Sequence, residues 1–334
     1  MSNLIENPKT YTGEESDRIF LRPVFTGENA AELGIRVMYN IPVNMTLNFW
    51  QRRDNVLQKY EKGWTGGEAS KKYQKTIAME KVKAEFGMAA EDYFSVVYER
   101  MTNTPETNMQ DLQGTDIERA EVALFREVIS EDSRLTMWVG DTDGTISDRT
   151  VYDGFIKRAS TYKDSVKVKI NAPTKENIIA TLDSVWDKAS KVLKSLKSTG
   201  KLRYYVTSDV YNAYEAYLDG YTNTTAYRDI QNGRGTLNYH GIELHEIHAE
   251  DKLKSPASII LLTHKENLLL AVNLRNLPGA DVRLWYNPDE MENRQRAVFL
   301  AGTEILDESL IVYGATNVTT TASTQSAQTQ AAKA

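Results

Sequence analysis

The side chains that could do chemistry gather in three places. Asp141-Thr-Asp143-Gly144-Thr145-Ile-Ser-Asp148 crowds carboxylates and hydroxyls into one short segment. It lacks a bidentate glutamate at the spacing an EF-hand calcium loop needs, and an Asp/Gly/Thr cluster after a helix is ordinarily a polar turn. His240, His245 and His248, with Glu243 and Glu246 among them, are residue types that bind metals. If Ile242–Ile247 is a strand, its two-residue period sends His245 and His248 to opposite faces. One ion could then not be held without a bulge. The third place runs from Arg52 to Lys75, where Tyr60, Trp64 and Tyr73 interleave with cations. That mixture suits single-stranded nucleic acid, but Asp54, Glu61 and Glu68 dilute it, and a solvated or protein-contacting loop outweighs that reading. No phosphate-binding or dinucleotide glycine motif occurs, and spacing alone reveals no Ser/His/Asp arrangement. As an enzyme the sequence is poor.

Composition narrows the classes. A chain of 334 residues, 41% hydrophobic and 26% charged, is that of a soluble globular protein with ample core. The net charge of −6 offers no general attraction to nucleic acid, although it leaves room for a local basic patch. Cysteine is absent, which removes disulfides, thiolate catalysis and cysteine metal sites together. Neither an apolar signal core nor a run of about 18 apolar residues occurs, so synthesis in a cytoplasm, without membrane contact, is expected.

The elements that must position these residues follow from periodicity. Residues 1–34 are polar and irregular, an extended arm. Strands are expected at Gly34–Tyr39, at Met45–Trp50 and, by resumed alternation, from Ile77 to Phe86. Between the last two, Gln51–Lys75 forms a charged excursion tipped by Gly63, Trp64, Gly66 and Gly67, far longer than an ordinary hairpin loop. Thr115-Asp-Ile-Glu118 is a capping box ahead of an apolar stripe of Ile117, Ala120, Leu124, Phe125 and Val128. The best-patterned stretch is Thr174–Gly220. It reads as one long amphipathic helix to Gly200, a buried strand Leu202–Val206, and a helix capped by Ser208. A hairpin of Ile259–Leu262 and Leu268–Val272 and a meander at Asp281–Tyr286, Arg294–Ala301 and Ser309–Tyr313 complete the chain. The Thr/Ser/Gln/Ala tail, 315–334, cannot build a core and is expected to be disordered.

Two families share features with this sequence. Asp141-Thr-Asp143-Gly144-Thr145 resembles the first motif of haloacid-dehalogenase-like phosphatases, and Val206-Thr207-Ser208 resembles their second. That resemblance implies Asp141 as nucleophile, Asp143 as general acid and a bound Mg²⁺. Gly140 interrupts the apolar strand that should feed Asp141, however, and no later strand end supplies the acidic pair such a site needs. The order of elements resembles something else. A polar arm, a long charged excursion, a capped helix ending in Trp138-Val-Gly-Asp141, then Tyr152-Asp-Gly-Phe155, Tyr204-Tyr-Val-Thr-Ser208 and Tyr239-His-Gly-Ile242 follow one another. This is similar to the major capsid protein of tailed double-stranded DNA bacteriophages, the Hong Kong phage fold shared with encapsulins.

The resemblance implies an α+β phage major-capsid fold. Its parts would be an N-terminal arm (1–34), an extended-loop hairpin with flanking strands (35–86), a peripheral domain (87–139 and 273–314) whose spine helix is Thr115 to about Arg134, an axial domain (140–272) and the tail. It further implies a non-enzymatic subunit without cofactor or metal, building pentamers and hexamers of a virion shell assembled in the bacterial cytoplasm. Scaffold and portal proteins, and packaged DNA bound without sequence specificity, would be its other partners. Trp64, Gly66, Lys71, Lys72 and Tyr73 are the residues expected to meet neighbouring subunits. An encapsulin-type compartment and, more distantly, the phosphatase remain the alternatives.

Overall fold

The computed structural model describes residues 9–11, 33–41, 45–50, 62, 72–89, 116–220, 237–249, 252–254, 258–273, 282–287, 289–290 and 292–316. Most of the expected arm, residues 51–61 and 63–71 of the excursion, residues 90–115 and 221–236, and the tail beyond 316 lie outside them. The strands begin with β1 (Lys9–Tyr11), β2 (Arg36–Tyr39), β3 (Thr46–Trp50), β4 (Lys72–Thr76) and β5 (Glu80–Ala89). Then come α1 (Asp116–Val139), α2 (Phe155–Thr161), β6 (Val166–Lys169), α3 (Ile178–Lys188), α4 (Lys191–Ser195), β7 (Leu202–Thr207) and α5 (Ser208–Asp219). The chain closes with β8 (Asn238–Tyr239), β9 (Ile242–Ile247), β10 (Ile259–His264), β11 (Leu268–Asn273), β12 (Val282–Asn287), β13 (Glu292–Ile305) and β14 (Ile311–Ala315). The mixture is α+β, in two compact units: Met1–Met137 with Leu268–Leu306, and Trp138–Asn267 with Asp307–Ala334.

The first unit is organised by β13. One of its edges pairs with β12 and then β11 in succession, and the other pairs with β5 from Glu80↔Ala301 to Ala89↔Glu292. β1 extends the sheet beyond β12, and β2 lies parallel to β11. β11, Leu-Leu-Leu-Ala-Val-Asn, is buried along its whole length, as a central strand must be. Ile41, Ile77, Met79, Leu269, Ala271 and Leu300 form one core cluster on this sheet. Gly302 is required there, because a Cβ would lie 2.3 Å from the carbonyl oxygen of Ala78. In α1, Phe125 and Ile129 are buried, whereas Leu124 and Val128 of the expected apolar stripe are 40% and 44% exposed.

The second unit has the sheet order β6-β14-β10-β7-β9-β8. β7 runs parallel to β9 with α5 leading out of it, and the two-residue period divides its tyrosines between the faces. Tyr204 joins Leu182, Val185, Val210 and Leu262 in a core under α3 and α5. Tyr205, on the other face, packs on Trp138 with ring centroids 5.2 Å apart.

Five expectations are corrected. The helix from Thr174 to Gly200 is broken, because Ala189 and Ser190 are extended and the Ser190 hydroxyl accepts the amide of Leu193 at 3.2 Å, capping α4 afresh. The stripe survives the break because Leu193 stays buried in the same core. Ser208 does not cap α5; Thr207 holds that position and Ser208 is already helical. The spine helix runs on from Arg134 to Val139, since Leu135, Met137, Trp138 and Val139 are all buried. Finally, β10 and β11 are not a hairpin: β10 pairs with β7 and β14, β11 with β13 and β2. β14 likewise belongs to the second sheet rather than to a closing meander.

Candidate functional site

The β3–β4 ribbon is an antiparallel pair that joins neither large sheet. The two strands pair from Thr46↔Thr76 to Trp50↔Lys72 and form a two-stranded sheet of their own. Its base is fixed. Thr46 and Thr76 hydroxyls lie 3.2 Å apart, the Ile77 amide donates to Met45 at 3.0 Å, and Ile77 itself is fully buried. Lys75 Nζ sits 3.5 Å from the buried carboxylate of Glu304. Beyond this base, both outer edges of the ribbon carry no further strand among the described residues. An isolated two-stranded ribbon is marginal in water, and open edges invite another chain. Lys72 and Tyr73, expected in the loop, are strand residues opposite Trp50 and Phe49. The loop's expected partner, the strand resuming at Ile77, is instead β5 in the large sheet. Trp64, Gly66 and Lys71 lie outside the described residues.

β5 supplies a second long edge. Val82, Ala84 and Phe86 are only half-buried, while Lys81, Lys83 and Glu85 are exposed. Beside it, Glu85, Phe86, Gly87, Trp285, Glu292, Arg294 and Gln295 line a cleft. Sequence reasoning missed this surface, because alternation in β5 reports one covered face and not how completely it is covered.

The Asp141 segment is a structural turn, not a nucleophile's site. Asp141 Oδ1 accepts the amide of Asp143 at 3.0 Å and the Lys157 ammonium at 2.9 Å. Its Oδ2 accepts the amides of Thr145 and Ile146, each at 2.6 Å, and the Thr145 hydroxyl at 2.7 Å. The side chain is fully buried. Burial alone would raise its pKa. Hydrogen bonds from Ile146, Lys157, Thr145 and Asp143 outweigh that and hold the carboxyl well below the usual range. A carboxylate with five donors on its two oxygens has no lone pair facing solvent with which to attack phosphorus. Asp143 is tied to the same ammonium at 2.7 Å. Thr207, the resemblance's second motif, has its hydroxyl hydrogen-bonded to Asp209 at 2.5 Å and to the Ile259 amide at 3.0 Å. The phosphatase reading of these residues is therefore withdrawn.

The histidines do not converge. His240 stacks on Trp186, His245 stacks on Tyr205, and His248 lies 3.3 Å from Glu246. Burial, with the Arg203 cation beside it, pushes the His245 pKa down. Among the described residues no three ligating side chains group for a metal.

No family model matches the sequence, and no curated protein matches it. Solved structures do. A chain of the satellite phage P4 procapsid superposes with a TM-score of 0.56 at 11% identity, covering 89% of this chain and 98% of that one. A chain from the capsid of Myoviridae phage XM1 gives 0.50 at 10% identity, over 86% of this chain and 92% of that chain. One from the capsid of Ralstonia phage GP4 gives 0.50 at 11%, over 96% and 95%. At such identities the likeness is one of fold. This chain has the tailed-phage major capsid fold.

The two segments on which the capsid resemblance rests meet in space. Trp138-Val-Gly-Asp141 and Tyr152-Asp-Gly-Phe155 join where the Gly154 amide donates to Gly140 at 2.7 Å. A Cβ on Gly154 would stand 2.6 Å from the Trp138 carbonyl oxygen, so only glycine permits this approach. Trp138 then meets Phe155 edge-on, with centroids 5.3 Å apart. The aspartate, lysine and glycines of this capsid-fold junction thus position α2 rather than a substrate.

Proposed function

We propose that the chain is the repeating subunit of an icosahedral shell, self-assembling into pentamers and hexamers that enclose a double-stranded DNA genome. Beyond the fold, one observation carries this reading: a ribbon, β3–β4, fixed at its base and open on both edges. Adding such an edge to a neighbour's sheet supplies backbone hydrogen bonds worth about 0.5–1.5 kcal/mol each. A heterologous contact of this kind closes into rings when the rotation permits, and repetition over a shell multiplies modest pairwise affinity.

In this proposal the unit of Met1–Met137 with Leu268–Leu306 is the peripheral domain, with α1 as its spine. The unit of Trp138–Asn267 with Asp307–Ala334 is the axial domain, where copies converge on the ring axis. The ribbon and its tip reach an adjacent subunit, with Trp64 as anchor and Gly66, Lys71, Lys72 and Tyr73 around it. The subunit's work is mechanical, assembly takes place in the host cytoplasm, and scaffold and portal proteins are its transient and vertex partners. Deleting Gly63–Ser70 tests the assignment. Sedimentation velocity should find the wild type in particles and the deletion variant as folded subunits or small rings. Full-size particles formed by the deletion variant would refute it. Nuclease-protected DNA in particles from infected cells separates a phage head from an encapsulin-type compartment.

A further inference from the structure

From Lys188 to Lys201 every charged residue is a lysine: Lys188, Lys191, Lys194, Lys197 and Lys201, in a chain of net charge −6. The spacing is not accidental to the fold. Ser190 restarts the chain as α4, and a 3₁₀ turn, Leu196–Thr199, continues it to Gly200, which is left-handed at φ +65°. Three-residue steps on such a helical segment advance about 5 Å and stay close to one face. Leu193 is buried in the core and Leu196 packs on it, so the opposite side of the segment is presented outward. Lys188, Lys191, Lys197 and Lys201 are exposed and Lys194 is half-buried. None of the five forms an ion pair with a carboxylate among the described residues. The backbone at Lys201 also carries the row to Lys265, whose amide donates to Lys201 at 2.6 Å.

Two of these cations are held in place. Lys194 and Lys197 Nζ lie 5.5 and 5.7 Å from the ring centre of Trp186, and Lys194 Nζ also donates to the Asp187 carbonyl at 3.2 Å. Trp186 is steadied in turn by His240, stacked 5.5 Å away. Charges fixed before binding lose less side-chain entropy on contact. The neighbouring carboxylates do not neutralise the row. Asp183 accepts the Tyr239 hydroxyl and faces His240, and Asp187 and Glu266 sit at its two ends.

We infer that this lysine ridge is a sequence-independent binding surface for the phosphate backbone of double-stranded DNA. The inference rests on the shell reading, and names the part of the subunit that meets the confined genome. The ammonium groups of the row meet phosphate oxygens as point charges, one phosphate per about 3.4 Å of each strand. They lack the bidentate fork by which an arginine would fix one group's orientation, so the contact carries no sequence information. An acidic subunit that carries this basic ridge among its described residues holds DNA at defined points without a wall that grips it everywhere.

The test is fluorescence anisotropy of a labelled duplex of arbitrary sequence with the full-length protein, titrated over a range of salt concentrations. Replacing Lys191, Lys194, Lys197 and Lys201 by Gln should weaken binding at least tenfold and flatten the slope of log K against log salt by about 3. A control set, Lys163→Gln, Lys169→Gln and Lys175→Gln, removes charge elsewhere on the same unit and should flatten it by less than about 1. Equal losses in both sets, or an unchanged slope in the ridge variant, would overturn the inference. So would ridge-dependent binding of polyglutamate with no binding of duplex, which points to an acidic protein instead. If circular dichroism shows the fourfold variant unfolded, Lys191→Gln with Lys197→Gln is read in its place, with half the change in slope. Electron microscopy of the same wild-type preparation keeps the two readings apart. Particles with ridge-independent DNA binding sink this inference alone, and absent particles count against the shell.

Discussion

Asp141→Asn is the sharpest probe of the Asp141–Asp148 turn in the second unit. The native carboxylate is fully buried and accepts five hydrogen bonds, one of them from Lys157, whose side chain is only 14% exposed. An amide of the same shape places an NH₂ where two or three donors now point, and leaves the Lys157 charge half-satisfied. Breaking a buried ion pair from one side costs about 3–5 kcal/mol. That is a large share of the roughly 5–15 kcal/mol by which a domain is stable. The effect also has a direction in pH. Because the folded-state pKa of Asp141 lies below its unfolded value of about 3.9, its stabilisation is complete above that pH. It is lost as pH falls from there through the folded value. Urea unfolding of unassembled subunits, followed by tryptophan fluorescence, should show the full deficit at neutral pH and a shrinking one below about pH 4. A deficit under about 1 kcal/mol, the size of an ordinary exposed pair, or one that does not change with pH, would refute the structural role given to this carboxylate.

Other outcomes follow from the same geometry. Gly302→Ala puts a methyl 2.3 Å from the Ala78 carbonyl oxygen, so the subunit should lose about 1–3 kcal/mol and the β5 amides should exchange faster with deuterium. Ser190→Ala removes the cap that restarts α4 and should cost about 1 kcal/mol in thermal unfolding, with Ser190→Asp restoring most of it.

Much of this fold was legible in the chain, and the failures are instructive. The capping box at Thr115 announced α1, and alternation announced β9, because burial on one face writes itself directly into residue order. β10 and β11 misled for the opposite reason. Both are apolar and buried on both faces, so neither alternates, and a short polar turn between two such runs looks like a hairpin. What separates them is Asn267. Its amide donates to Thr263 and to the Asp307 carbonyl, each at 3.0 Å, and its oxygen accepts the Asp307 amide at 2.8 Å. It pins together two points of the chain forty residues apart. No local pattern announces such a contact.

The candidate site was less legible still. Asp141 and Asp143 looked like chemistry because the sequence shows carboxylates but not their donors; Lys157, three backbone amides and the Thr145 hydroxyl turn them into a scaffold. The ribbon was visible as a long charged interruption, yet Lys72 and Tyr73 belong to its strand and not its loop. Polar strands outside the large sheets carry no burial signature of their own.

A shell subunit must build a closed particle from copies of itself. Negative-stain electron microscopy of the purified, full-length protein measures that directly. Hollow icosahedral particles are expected, or five- and six-membered rings that close into them as concentration rises. A protein that stays monomeric at all concentrations, with the β3–β4 edges never joined to a second copy, would contradict it.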